Sequence, residues 1–186
     1  MPNCYNSGAM NLAQNTTERP AAATFKGNPL TLLGPQLKPG DKAPDFEVVD
    51  KTMQPVDLEK TAGTARIFSV VPSLDTPVCD MQTKRFNEEA AKLPGVKIYT
   101  ISMDLPFAQA RWCGAFGIDN IVMLSDHKSG SFGEAYGTLI KEWRIESRAI
   151  FVVDKDGIVR HAEYVGEVAD HPDYDAALDV ARKLAS

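Results

Sequence analysis

Thr76-Pro77-Val78-Cys79 places a hydroxyl and a thiol one helical turn apart. The apolar run Ile67-Phe68-Ser69-Val70-Val71 precedes it, and residues 80 to 93 carry apolar side chains at helical spacing, so the segment reads as strand, turn, helix. Thr76 is a good N-cap, and Pro77 suits the first helical position because its fixed φ fits and its missing N–H would be unpaired there. Cys79 then falls in the first turn. The partial positive charge of the first-turn N–H groups favours thiolate there by about 0.3 to 1 kcal/mol at an exposed site and up to about 2 kcal/mol when partly buried. A cation or a hydroxyl donor must supply the rest, and Thr76 offers the hydroxyl. Two readings stay open at this point: a reactive thiol, or a small buried apolar residue behind a capping threonine.

Other residues bear on that choice. Arg148 opens the apolar stretch Ala149-Ile150-Phe151-Val152-Val153, where its guanidinium must turn to solvent, pair with Glu142 or Glu146, or point at an anion such as a thiolate. Cys113 stands beside Trp112 in a helical segment, as an apolar helix-face residue or as the second thiol with which a sulfenic acid would condense. A cysteine hydrolase would need His127, His161 or His171 beside Cys79, and each reads more simply as a surface residue. No C-x-x-C, metal-ligand spacing or glycine-rich phosphate loop is present, so no cofactor and no metal is expected.

The elements that must position these groups follow from periodicity. Residues 1 to 23, with Cys4, read as a polar tail that builds no core, and residues 24 to 186 as one domain. Thr24 to Leu32 alternates around Gly27-Asn28 and predicts a hairpin turning at that pair. A proline-rich connector leads to a short strand at Phe46 to Val49 and a brief helical segment at residues 57 to 62. Arg66 to Val71 reads as a strand buried on both faces. The helix behind Thr76 should turn Val78, Met81, Phe86, Ala90 and Leu93 inward and stop at Pro94-Gly95. Then come a strand at Val96 to Ile101, a helix at Leu105 to Phe116, a strand at Asn120 to Leu124 and a helix at Gly130 to Tyr136. A hairpin turns at Asp154-Lys155-Asp156-Gly157, and a last helix spans Pro172 to Leu184. This order defines a mixed α/β arrangement, the thioredoxin-like fold with an N-terminal β-hairpin extension.

Bulk properties narrow the function classes. The 186 residues are 44% hydrophobic with net charge -5, and no Lys/Arg run exceeds a pair, so a nucleic-acid or anionic-membrane partner is not expected. Three cysteines are too few for a secreted disulfide scaffold. No apolar stretch approaches a membrane span, and the N-terminus lacks a signal-peptide pattern, so the expected location is cytoplasmic.

Together these residues resemble the peroxiredoxins, and within them the atypical 2-Cys thiol peroxidase group. Pro72, Thr76 and Cys79 match the Pro-x-x-x-Thr-x-x-Cys motif, Arg148 falls at the family's active-site arginine, and Phe107 to Gly114 is similar to the resolving-cysteine helix. The resemblance covers nearly all of residues 24 to 184. It implies Cys79 as the peroxidatic and Cys113 as the resolving residue, with Thr76 and Arg148 polarising the O–O bond and Pro72 shielding the substrate pocket. It also implies hydrogen peroxide and organic hydroperoxides as substrates, an intramolecular Cys79-Cys113 disulfide, thioredoxin as reductant and a homodimer. The competing reading is a thioredoxin-fold redox switch or holdase without turnover.

Overall fold

The computed structural model describes residues 16 to 185; Cys4 and most of the predicted polar tail lie outside them. Two sheets carry the chain. The hairpin of β1 (Glu18–Phe25) and β2 (Asn28–Leu33) joins β8 (Leu139–Ile140) in a three-stranded sheet. The central sheet has seven strands: β3 (Glu47–Val49), β4 (Pro55–Asp57), β5 (Ala65–Val70), β6 (Val96–Ser102), β7 (Val122–Ser125), β9 (Ala149–Val153) and β10 (Val159–Tyr164). Their spatial order is β10-β9-β5-β6-β7-β3-β4. Helices α1 (Pro77–Ala90), α2 (Pro106–Phe116), α3 (Ser131–Tyr136) and α4 (Tyr174–Ala185) complete the fold, with a short 3-10 turn at Glu59–Thr61.

Strand β5 is buried along its whole length, running parallel to β6 and antiparallel to β9. Its side chains alternate between the two faces of the sheet. Ile67 joins Ile98, Ile150 and Val152 in the core that also holds Phe86 of α1, Trp112 of α2 and Leu178 of α4. Phe68 and Val70 join Ile101, Phe151 and Val153 in a second core filled by the rings of Phe46, Phe132 and Tyr136. Because β5 and α1 are consecutive, the loop between them lies beyond the C-terminal end of β5. The antiparallel run of β9 brings its N-terminal residue, Ala149, opposite Val70 at that same end. A smaller core of Ala23, Leu30, Leu32, Ile140 and Val168 fastens the hairpin.

The structure revises several expectations. The hairpin turns at Lys26-Gly27, with Phe25 opposite Asn28, rather than at Gly27-Asn28. Both turn residues have positive φ, +49° and +78°, as the tight turn that matches strand twist requires, and the glycine takes one of those positions without strain. Strand β1 also begins at Glu18, upstream of the predicted hairpin. Arg19 ties it down, its guanidinium donating to the carbonyls of Gly34 and Gly137. In α1 the buried residues are Cys79, Gln82, Thr83 and Phe86, while Met81 is 48% exposed. The inward face is therefore more polar than apolar periodicity predicts, and the reason lies in the site.

Candidate active site

The start of α1 is assembled by the loop before it. Thr76 occupies the N-cap position, yet its hydroxyl does not cap the helix. It lies 2.7 Å from Cys79 Sγ and 3.1 Å from the Ser73 carbonyl. Ser73 Oγ and the Leu74 N–H both donate to Asp104, at 2.8 Å each, and Ser102 Oγ donates to the same carboxylate at 2.9 Å. Asp104 thus clamps the loop holding Pro72, which is buried, to the end of β6.

Cys79 is fully buried. Arg148, 2% exposed, comes one residue before β9 and reaches the sulfur with Nη2 at 3.3 Å. Its other donors are fixed as well: Nε donates to the Val168 carbonyl at 3.0 Å and Nη1 to Gln82 Oε1 at 2.7 Å. Gln82 in turn donates from Nε2 to Ser69 Oγ on β5 at 2.8 Å. A buried guanidinium must be paired, and here a thiol, a carboxamide and a carbonyl share it. This is why Gln82 rather than Met81 faces inward. Of the two carboxylates that could have taken Arg148, Glu142 accepts the Thr31 N–H and Glu146 accepts the Thr138 hydroxyl.

Tyr174, at the start of α4, closes the same region edge-on to Phe86, with the Arg85 guanidinium 4.4 Å from its ring centre. Burial pushes its hydroxyl up against the opposing positive charges of Arg148 and Arg85. Two residues before Arg148, Glu146 is fully buried near Asp126. Its Oε2 accepts from Thr138 Oγ1 at 2.6 Å, and Asp126 accepts the Gly133 N–H at 2.9 Å. Burial pushes both carboxyls up, and for Glu146 the neighbouring Asp126 charge adds to it. Gly133 is required beside them, because a Cβ there would stand 2.6 Å from Glu146 Oε1.

Cys113 lies near the end of α2, half-buried and packed against the core to which Cys79 contributes; both are free thiols. It lines a groove of about 670 Å³ together with Asp50, Lys51, Gly114, Ile118 and Met123. Burial pushes its thiol up, with Lys51 pulling the other way. Gly117 ends the helix at φ +66°, and its N–H and that of Ile118 both donate to the Cys113 carbonyl. The histidines are engaged elsewhere: His127 with Ser125 and His171 with Tyr174, while His161 lies 3.9 Å from Glu163. Among the described residues, the side chains hydrogen-bonded to Cys79 are Thr76 and Arg148, so the hydrolase reading has no imidazole to work with. No cluster of three metal-ligating side chains occurs among the described residues.

A thiol held at a helix start between a hydroxyl and a guanidinium, on a thioredoxin-like sheet, defines a thiol redox enzyme. Residues 38 to 178 match the Redoxin family. The chain is 55% identical to the thiol peroxidase of Bacillus subtilis over 164 residues, covering 88% of this chain and 98% of that one. It is 53% identical to the thiol peroxidase of Staphylococcus aureus over 161 residues, covering 87% and 98% respectively. Among solved structures, a peroxiredoxin-like protein from Aquifex aeolicus superposes with a TM-score of 0.82 at 41% identity, covering 89% of this chain and 99% of the other. The thiol peroxidase from Chromobacterium violaceum gives 0.77 at 25% identity, with 87% and 95% covered. The chain belongs to the redoxin family, as a peroxiredoxin enzyme of the thiol peroxidase group.

Sequence reasoning placed Cys79, Thr76 and Arg148, which the structure brings together. It gave no site role to Gln82, Asp104 or Tyr174. The charge of Arg148 was the available signal for Gln82: a buried guanidinium needs several acceptors, and Gln82 lies one turn along α1 from Cys79.

Proposed function

We propose that Cys79 is the peroxidatic residue, reducing hydrogen peroxide and organic hydroperoxides, and that Cys113 of the same chain resolves it. The observation that carries this reading is the pair of donors on Cys79 Sγ, Thr76 at 2.7 Å and Arg148 at 3.3 Å, which favour negative charge on the sulfur and on the oxygen expelled when the O–O bond of a peroxide breaks beside it. The thiolate attacks the terminal peroxide oxygen; an S–O bond forms, the O–O bond breaks, and the departing oxygen takes a proton and leaves as alcohol or water. Pro72, buried in the loop that Asp104 clamps, keeps water from the reacting atoms.

The Cys113 thiol then condenses with the Cys79 sulfenic acid. An S–S bond forms, and the hydroxyl leaves as water with the Cys113 proton. A disulfide needs Cα atoms within about 7 Å, and on this reading oxidation draws together two thiols that are free on different helices. The α2 end supports this, since Gly114, inside the last turn of the helix, lowers helix propensity by about 1 kcal/mol relative to alanine. Thioredoxin then reduces the disulfide by dithiol exchange at the groove beside Cys113. The working assembly is a homodimer in the cytoplasm.

The test follows peroxide consumption by stopped flow with thioredoxin, its reductase and a nicotinamide reductant. Cys79→Ser should abolish turnover, and Cys113→Ser should reduce one equivalent of peroxide per chain and stop. Substantial surviving turnover in Cys79→Ser, or full turnover in Cys113→Ser, would reject the assignment. A wild-type protein consuming only one equivalent despite excess reductant would instead establish the redox-switch reading.

A further inference from the structure

Arg66 stands near the start of β5, at the end of the sheet away from Cys79. It is 1% exposed, one of the largest fully buried side chains. A guanidinium carries five N–H donors and keeps its charge at any accessible pH, so a buried one needs several acceptors or an anion. Among the described residues Arg148 has three hydrogen-bond partners and Arg66 has one, a 3.4 Å contact from Nη1 to the Thr61 carbonyl. Its Nε has no partner among the described residues. The nearby carboxylate of Asp154 is already committed, to Arg160 at 2.7 Å and to the N–H groups of Asp156 and Ile158 at 2.9 Å each.

The guanidinium lines a pocket of about 260 Å³ whose rim carries Lys42 and Lys155, both exposed. The far wall is Gly157, φ +80°; Nη2 lies 4.0 Å from where a Cβ would stand on it, so any side chain there would narrow the approach to the charge. Backbone bonds hold this wall in place: the Ala43 N–H donates to the Gly157 carbonyl at 2.8 Å and the Val159 N–H to Asp41 at 2.9 Å. Three carboxylates also line the pocket. Asp45 accepts the N–H groups of Phe46 and Leu58, Asp156 pairs with Lys155 at 3.1 Å, and Glu59 sits exposed at the rim. They oppose a polyanion and favour one compact acceptor beside Arg66.

We propose that this pocket is a binding site for a small molecule bearing a single oxyanion group, phosphate or carboxylate, held by Arg66 and flanked by Lys42 and Lys155. The volume exceeds that of the oxyanion alone and accommodates a short organic body. The site is separate from the peroxidase centre: β5 covers roughly 13 Å between Arg66 and Val70 at about 3.3 Å per residue, and the Cys79 loop begins beyond that.

The experiment titrates the full-length protein with inorganic phosphate and with acetate, against sodium chloride at matched ionic strength, following the Arg66 Nε–Hε and the Lys42 and Gly157 amide resonances by NMR. A saturable shift with phosphate, with acetate, or with both supports the site, and the stronger probe identifies the oxyanion. Arg66→Met keeps the side-chain length without the charge and should abolish saturation; replacing a buried unpaired charge with an apolar group need not harm folding. Lys42→Ala, exposed and safe for folding, should weaken the midpoint about fivefold, as loss of one partly screened charge would, with peroxide turnover unchanged. No saturable shift beyond the chloride control, or a midpoint unchanged in both variants, overturns the proposal and leaves Arg66 a hydrated charge.

Discussion

Replacing Gln82 with methionine keeps the volume at a fully buried position and deletes both hydrogen bonds of the carboxamide, 2.8 Å to Ser69 and 2.7 Å to Arg148. The neutral bond is worth about 1 kcal/mol and the charge-assisted one about 1.5 to 3 kcal/mol, a loss that a domain with about 5 to 15 kcal/mol of stability survives. The larger effect is on Arg148, whose Nη1 loses its acceptor. With an effective dielectric of about 20, a unit charge 3.3 Å from the sulfur contributes about 5 kcal/mol, and at 5 Å about 3.3 kcal/mol. A retreat of that size costs about 1.7 kcal/mol, roughly 20-fold in rate if the reaction uses the full charge on sulfur. The assay is the second-order rate with hydrogen peroxide by stopped flow at neutral pH, with thermal melts in parallel. A folded Gln82→Met protein reacting within about twofold of wild type would show that Arg148 holds its place on the Val168 carbonyl alone, and the reasoning would fail.

Asp104→Ala should release the Ser73 and Leu74 contacts, slow the peroxide step and raise exchange of the amides at residues 72 to 76; an unchanged rate would make Asp104 a folding residue only. Glu146 and Asp126 bind protons more tightly folded than unfolded, so their contribution to stability is full below the unfolded carboxyl range and is lost as pH rises through their raised folded values. Glu146→Gln should therefore flatten the fall in melting temperature between mildly acidic and neutral pH, and parallel curves for the two proteins would contradict the pairing. Oxidation to the disulfide should lower hydrogen-exchange protection at residues 77 to 82 and 108 to 117, and equal protection in both states would rule out a local unfolding switch.

Much of the site could be read from the chain because local rules set it. Pro77 and Thr76 specify a helix start, and the thiol follows by position. Cys113 and Arg148 could be placed on their elements but not aimed, since aim depends on pairings between distant strands. Gln82 was missed for a physical reason: apolar periodicity assigns Met81 to the core, whereas the acceptor needed by a buried guanidinium draws the amide inward and leaves Met81 48% exposed. The turn at Lys26-Gly27 escaped because Gly27-Asn28 offers an equally good local signal, and Arg19 with its carbonyl partners decides the register. Strands β4 and β8, three and two residues long, carry too little pattern to stand out.

The partners of Cys79 differ in how far along the chain they must come. Thr76 is a neighbour, present as soon as the first turn of α1 forms; Arg148 is 69 residues away and arrives only when β9 has docked beside β5. If Cys79 has the proposed peroxidatic role, a chain still emerging from the ribosome, or one trapped with β9 unpaired, carries the cysteine without its guanidinium and so is spared the oxidation that the finished site invites. Peroxide reactivity then reports on completion of the sheet, and the recovery of that reactivity during refolding times the docking of a single strand.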